Sequence, residues 1–189
     1  MNRVYADYNS TTPLCDDVYN YILKTKSQMG NMESGHYFGQ QMHHIYDDVS
    51  DTIRSILGAR NYELFTCSSA TEANHWFFES LINKINTRKD VIISSIEHSC
   101  VIKPLQKYAQ DGIINLKICR VTQDGFVDIE HFKSLISEDT FFVSIGLVNN
   151  ELGTIQPLEE ICDLAKSYGA FIHSDIVQAV GKLPLNLDA

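Results

Sequence analysis

Four short polar segments in this chain carry side chains that could hold a ligand or move a proton. Ser68-Ser69-Ala70-Thr71-Glu72 is a run of small and hydroxyl residues leading into a helical pattern. Backbone N–H groups and the helix dipole at such a start suit a phosphate. The same residues also make an ordinary Ser/Thr helix cap with Glu in the first turn. His98 follows an apolar segment, where an imidazole can stack on a planar ligand or transfer protons, or simply hydrogen-bond within a loop. Asp175 closes another apolar segment. A carboxylate there is costly unless it is paired, hydrogen-bonded or near solvent. One use for it is to pair with the pyridinium nitrogen of pyridoxal phosphate (PLP), which keeps that ring an electron sink. The competing reading is an N-cap for a following helix, with Gln178 completing a capping box. Asn149-Asn150-Glu151-Leu152-Gly153 is polar directly after an apolar run. The paired Asn residues fit a turn, or the presentation of an amide to a ligand's phenolic or carboxylate oxygen.

Other chemistries have less to stand on. Neither GxGxxG nor GxxxxGK[ST] occurs, so the usual nucleotide loops are not indicated. Cys15, Cys67, Cys100, Cys119 and Cys162 are odd in number, widely spread and never in a CxxC pair. That is neither a disulfide framework nor a zinc site, and reduced, mostly structural thiols are expected. His43 and Asp47 share a helix face at i, i+4, but no third ligand is near in sequence. A solvated helix face is expected there, with no metal.

These residues need elements to position them. Residues 1–13 read as irregular. A helical segment runs from Pro13 to about Lys26, a loop from Gly30 to Gly39, and a helix from Gln40 to Leu57 with Gly58 as its stop. From residue 62 onward, short apolar runs alternate with helical patterns. Strands are predicted at Glu63–Cys67, Val91–Ser95, Asn115–Val121, Thr140–Leu147 and Ala170–Ser174. Helices are predicted at Thr71–Ile85, Cys100–Gln110, Asp128–Ile136 and Leu158–Tyr168. Repeated βαβ units imply an α/β fold with a mostly parallel sheet covered on both faces. The division expected is an N-terminal helical segment, 1–60, followed by an α/β domain, 61–189. Ligands in such folds sit at the carboxyl ends of the strands, where all four polar segments fall.

Composition narrows the partners. The chain has 189 residues and a formal charge of −9, which argues against nucleic acid and against an anionic membrane surface. Hydrophobic residues make 44% and charged residues 21%, an ordinary globular balance rather than a disordered one. No apolar run approaches the roughly 18–20 residues of a membrane span, and the N-terminus has no signal-peptide pattern. A cytoplasmic location is the expectation.

Taken together, the segments resemble the cysteine desulfurase group of class V aminotransferases, which are PLP enzymes of fold type I. Tyr5-Ala6-Asp7-Tyr8-Asn9-Ser10-Thr11-Thr12-Pro13 resembles that family's YLDxxATTP opening. The stretch from Gly30 to Gly39 resembles its GNPSSxHxxG loop. Ser68–Asn74 resembles SGATEAN, and Glu97-His98 its EH pair. Val148–Gly153 resembles VNNEIG, His173–Gln178 resembles HvDaxQ, and Val180–Pro184 resembles VGKlP. Two departures are Ser69, where the family has Gly, and Met32, where it has Pro.

The resemblance implies the PLP-transferase large domain and a set of roles. Ala70 and Thr71 would hold the PLP phosphate. His98 would stack on the ring and assist proton transfer. Asp175 would pair with the ring nitrogen. Asn150 and Gln178 would meet the phenolic-oxygen side or the substrate. The implied reaction takes sulfur from L-cysteine, leaving L-alanine and an enzyme persulfide, and serves sulfur mobilisation and iron–sulfur cluster assembly. In the family the PLP-binding lysine lies about two dozen residues beyond the ring-pairing Asp, in an SGHKxxGPxG segment. This chain ends 14 residues after Asp175, and Lys182 belongs to a different motif. The persulfide-forming cysteine and the small domain of the family also fall past Ala189. The expectation is therefore an N-terminal part that is not competent alone, working as a homodimer or with a complementing chain, and passing sulfur to an acceptor protein. The alternatives are a non-catalytic scaffold or another class V reaction, such as that of a selenocysteine lyase or an aminotransferase.

Overall fold

The computed structural model describes residues 3–85 and 87–188. The chain divides into two compact units, Met1–Phe65 with Leu183–Ala189, and Thr66–Lys182.

In the first unit two helices dominate, α1 (Asp16–Thr25) and α2 (Tyr37–Leu57). α1 has two acidic residues in its first turn and a basic one in its last, as the helix dipole favours, yet it buries none of its residues. α2 begins three residues before the predicted Gln40. His36 supplies the cap, its Nδ1 accepting from the Gly39 amide at 3.2 Å. The helix ends as expected at Gly58, whose φ of 57° is the left-handed conformation that closes a helix C-terminus. The segment from Leu183 returns to this end. Leu187 and Asp188 donate their amides to the carbonyls of Leu57 and Gly58, at 3.1 and 2.7 Å. The Asp188 carboxylate accepts from the Arg60 amide at 3.0 Å.

The second unit alternates strand and helix. α3 (Ala70–Ile82) precedes β1 (Asp90–Ser94), then α4 (Ser99–Gln110), β2 (Asn115–Cys119), α5 (Ile129–Leu135), β3 (Thr140–Ser144), α6 (Leu158–Ser167) and β4 (Phe171–His173). All pairings are parallel, in the order β2-β1-β3-β4. β1 and β3 are buried at every residue, which is why they read as continuous apolar runs; β2 and β4 form the partly exposed edges. Strand alternation sends Val91, Ile93 and Phe142 into a core with Phe78 of α3 and Leu105 of α4. It sends Ile92 and Val143 into a second core with Phe132 of α5 and Ile161 of α6. The sheet is thus covered on both faces, the α/β architecture expected.

One predicted strand does not form. Residues 63–67 are extended but have no ladder partner among the described residues, and Phe65 is 76% exposed. The sheet therefore has four strands rather than five. The loops leaving β1 and β3, neighbours at the centre of the sheet, run to helices on opposite faces. That crevice is where the topology opens a binding site.

Candidate functional site

The loops after β1 and β3 are tied together by a buried carboxylate. Glu97 accepts from the Ser94 hydroxyl at 2.5 Å and, with both oxygens, from the Gly146 amide at 3.0 Å. Burial, together with the charge of Asp175, pushes its carboxyl above the usual range. Asn149 completes the tie. Its Nδ2 donates to the Ile96 carbonyl at 2.8 Å, and its Oδ1 accepts from the amides of Glu151 and Leu152 at 2.9 and 2.8 Å. Asn149 is therefore the turn former, while Asn150 next to it donates to Glu151 Oε1 at 3.2 Å. His98, carried on the first of these loops, caps α4. Its Nδ1 accepts from the Cys100 amide at 3.3 Å and lies 2.9 Å from Cys100 Sγ. An acceptor role for Nδ1 places the ring proton on Nε2.

Cys100 is the meeting point of three sequence-distant segments. Its buried thiol contacts His98, accepts from Asn74 Nδ2 at 3.1 Å and lies 4.0 Å from Asp175 Oδ2. Burial keeps the thiol protonated by raising its pKa, with the Asp175 charge acting in the same direction. Thr71 stands near enough to act weakly on its titration, in the lowering direction. Thr71, His98 and Asp175 are thus brought to one sulfur. Asp175 does not cap a helix; residues 177–182 form turns, and Asp175 Oδ1 accepts from the Val177 amide at 3.0 Å. Gln178 lies in those turns, its Oε1 accepting from Lys182 Nζ at 2.5 Å.

Behind Asp175 runs a polar chain that the sequence did not single out. The Ser144 hydroxyl lies 2.8 Å from His173 Nδ1, His173 Nε2 lies 3.0 Å from Asn74 Oδ1, and Asn74 Nδ2 donates to Asp175 Oδ2 at 3.0 Å. Burial lowers the His173 pKa to about 4, opposed only in part by the charge of Asp175, so the ring is neutral. It stacks on Phe77 with centroids 4.7 Å apart. A signal was available: Asn74 is one helical turn from Thr71, and His173 alternates with Asp175 onto the same side of the strand.

At the start of α3, Ser69 Oγ accepts from the Glu72 amide at 3.2 Å, and the Glu72 carboxylate accepts from the Ser68 amide and hydroxyl at 2.7 and 2.6 Å. Those bonds lower the Glu72 pKa. The Ser/Thr cap with Glu in the first turn is thus formed, with Glu72 reaching one residue past the cap to Ser68. It does not compete with anion binding, because helix geometry leaves the amides of Ala70 and Thr71 without intrahelical acceptors. Ser69 has φ −166°, extended backbone open to any residue, so Ser in place of Gly brings no strain. His43 and Asp47, the pair weighed for metal, form an exposed contact of 3.5 Å on α2. A groove of roughly 570 Å³ over α5 and α6, lined by Lys133, Glu159, Glu160 and Asp163, holds none of the candidate residues.

The class-V aminotransferase family model matches residues 4–189. The chain belongs to that family. Cysteine desulfurase IscS of Dictyoglomus turgidum is 34% identical to this class-V chain over 188 residues, covering 98% of it and 48% of the relative. Cysteine desulfurase IscS of Rickettsia prowazekii is 33% identical over 188 residues, covering 98% and 46%. Among solved structures, a NifS-like protein superposes with a TM-score of 0.91 at 33% identity, covering 99% of this chain and 52% of the other. SspA, solved in complex with cysteine, superposes with a TM-score of 0.89 at 29% identity, covering 97% and 53%. The class-V chain thus spans about half the length of the curated relatives it matches.

The donor set fits PLP on three counts. A carboxylate held at a strand end suits a protonated ring nitrogen, the α3 N-terminus suits a phosphate, and an imidazole stands between them in sequence and joins both through Cys100.

Proposed function

We propose that this chain is the cofactor-binding part of a PLP-dependent cysteine desulfurase, acting on L-cysteine once joined with the family's PLP-binding lysine and sulfur-accepting cysteine, whether on the same polypeptide or another. The observation that carries this reading is the convergence of Thr71, His98 and Asp175 on Cys100, at the strand ends of a fold shared with cysteine desulfurases.

When bound, PLP supplies an electron sink next to the substrate's α-carbon. The chain's own residues hold and orient the ring. The amides of Ala70 and Thr71, with the Thr71 hydroxyl, hold the phosphate. Asp175 keeps the ring nitrogen protonated by charge pairing, a charge-assisted contact of the strong class. His98 stacks on the ring and moves a proton at Nε2, since Nδ1 is committed to Cys100. Asn150 and Gln178 meet the phenolic-oxygen side or the substrate. Lys182, bonded to Gln178 and in the VGKlP-like stretch, is not the PLP-binding lysine. The wider reading is a cytoplasmic homodimer, or a complemented pair of chains, that hands sulfur to an acceptor protein for iron–sulfur cluster assembly.

The test is an absorbance titration of the chain with PLP, then borohydride reduction and intact mass. The expected result is a saturable spectral change with no stoichiometric adduct on one lysine. Asp175→Asn should weaken the binding about tenfold or more, in line with a charge-assisted bond. No saturable change, or stoichiometric trapping at Lys182, overturns the reading.

A further inference from the structure

Asn74 is 5% exposed, in the wall of α3 that faces the strand ends. A buried carboxamide is costly unless bonded, and an apolar residue of similar volume would fill the same place without that cost. Asn74 spends each part of its amide on a different element. Oδ1 meets His173 Nε2 from β4 at 3.0 Å; Nδ2 donates to Asp175 Oδ2 at 3.0 Å and to Cys100 Sγ of α4 at 3.1 Å. The flipped amide would set its carbonyl against the carboxylate. The carboxylate, which can only accept, therefore fixes the amide; Oδ1 is left to accept from His173 Nε2–H, and Nδ1 of that ring is left to accept from the Ser144 hydroxyl.

We infer that Asn74 is the positioning residue for Asp175: its amide, tied on the far side to His173 and through that ring to Ser144, holds Oδ2 while the Val177 amide holds Oδ1, so that the carboxylate keeps one direction. Cys100 extends the same amide to His98, which couples the two side chains placed at the cofactor ring. The catalytic weight of the device rests on the cofactor reading above; the hydrogen-bonding assignment does not. The titratable group acting on His173 is Asp175, beyond Asn74, with Cys100 and Glu97 acting in turn on Asp175, while Phe77 and Phe78 of α3 pack on the ring.

Two readouts test it on the full chain, with Asn74→Leu and Asn74→Asp. The first uses pyridoxamine 5′-phosphate, which has no aldehyde and needs no lysine, followed by absorbance and fluorescence. Wild type should bind it saturably. Both variants should bind about tenfold more weakly or worse, and the bound ring nitrogen should lose its proton about one pH unit lower. Unchanged binding and unchanged ring titration in both variants overturn the inference.

The second readout needs no ligand: nitrogen–proton correlation spectra of the histidine rings, with His173 assigned through His173→Gln. In wild type His173 should be neutral at neutral pH with its proton on Nε2. Asn74→Asp, placing a carboxylate on Nε2, should raise the His173 titration by about one unit or more. A wild-type ring that is charged or protonated on Nδ1, or a His173 titration that ignores Asn74→Asp, overturns the inference even if neither variant folds well enough for ligand work. If wild type binds no pyridoxamine phosphate, the cofactor reading fails, and the histidine spectra alone decide the role of Asn74.

Discussion

His173 sits where an imidazole cannot take a proton without losing a bond, and that has a consequence for stability. Its folded pKa is near 4 against an ordinary 6.5, so between those values the unfolded chain binds a proton that the folded chain refuses. Stability from this group is complete above the unfolded value and falls as the pH drops toward 4, by up to about 3 kcal/mol. Glu97 works the other way: raised by burial and by Asp175, it binds its proton more readily in the folded state, so acidification relieves a cost. The His173 part is isolated by difference. Urea midpoints of His173→Gln should fall less steeply from pH 6.5 to 4 than those of wild type, by about that amount. Equal slopes would mean that His173 titrates normally. At this scale the sequence exposed the groups that end a segment, His98 and Asp175, because polar residues after apolar runs stand out. It did not expose the roles of Asn74 and Cys100, whose partners come from other segments.

At the level of elements, ends matter more than middles. Gly58 combines φ 57° with a position where an added Cβ would lie 2.5 Å from Asn186 Oδ1 and 2.8 Å from its Cα. Gly58→Ala should cost about 1–2 kcal/mol in chemical unfolding. Gly35, with nothing within 4 Å of its would-be Cβ, is the control: Gly35→Ala should stay within about 0.5 kcal/mol of wild type. Ser69→Ala removes the side-chain acceptor of the Glu72 amide and should cost about 1 kcal/mol. Helix and strand positions were legible because periodicity is local. The failure at residues 63–67 has a clear cause: a strand requires a partner edge, and a local apolar run does not supply one.

Across the whole molecule, exposed apolar surface is the feature that ordinary folding does not explain. α1 presents Tyr21 at 62%, Ile22 at 50% and Leu23 at 46% exposure and buries nothing. Apolar side chains left exposed along one helix in this way favour association. Sedimentation velocity should therefore show species above 21.4 kDa that grow with concentration in the micromolar range, and Tyr21→Lys with Leu23→Glu should reduce them. A single 21.4 kDa species throughout would contradict this.

From sequence alone came the α/β class, the family, and the placing of the segments at His98, Asn149 and Asp175 after strands; the strand expected before Ser68 does not form. These follow from patterns carried within a few residues of one another, repeated in order along the chain. Only the tertiary structure decided that the sheet has four strands, that Asp175 sits in a turn rather than at a helix cap, and that Asn74, Cys100 and His173 surround it. Those are matters of which distant backbone comes alongside, and hydrogen bonds between residues 74, 100 and 175 exist only once the sheet has brought them together.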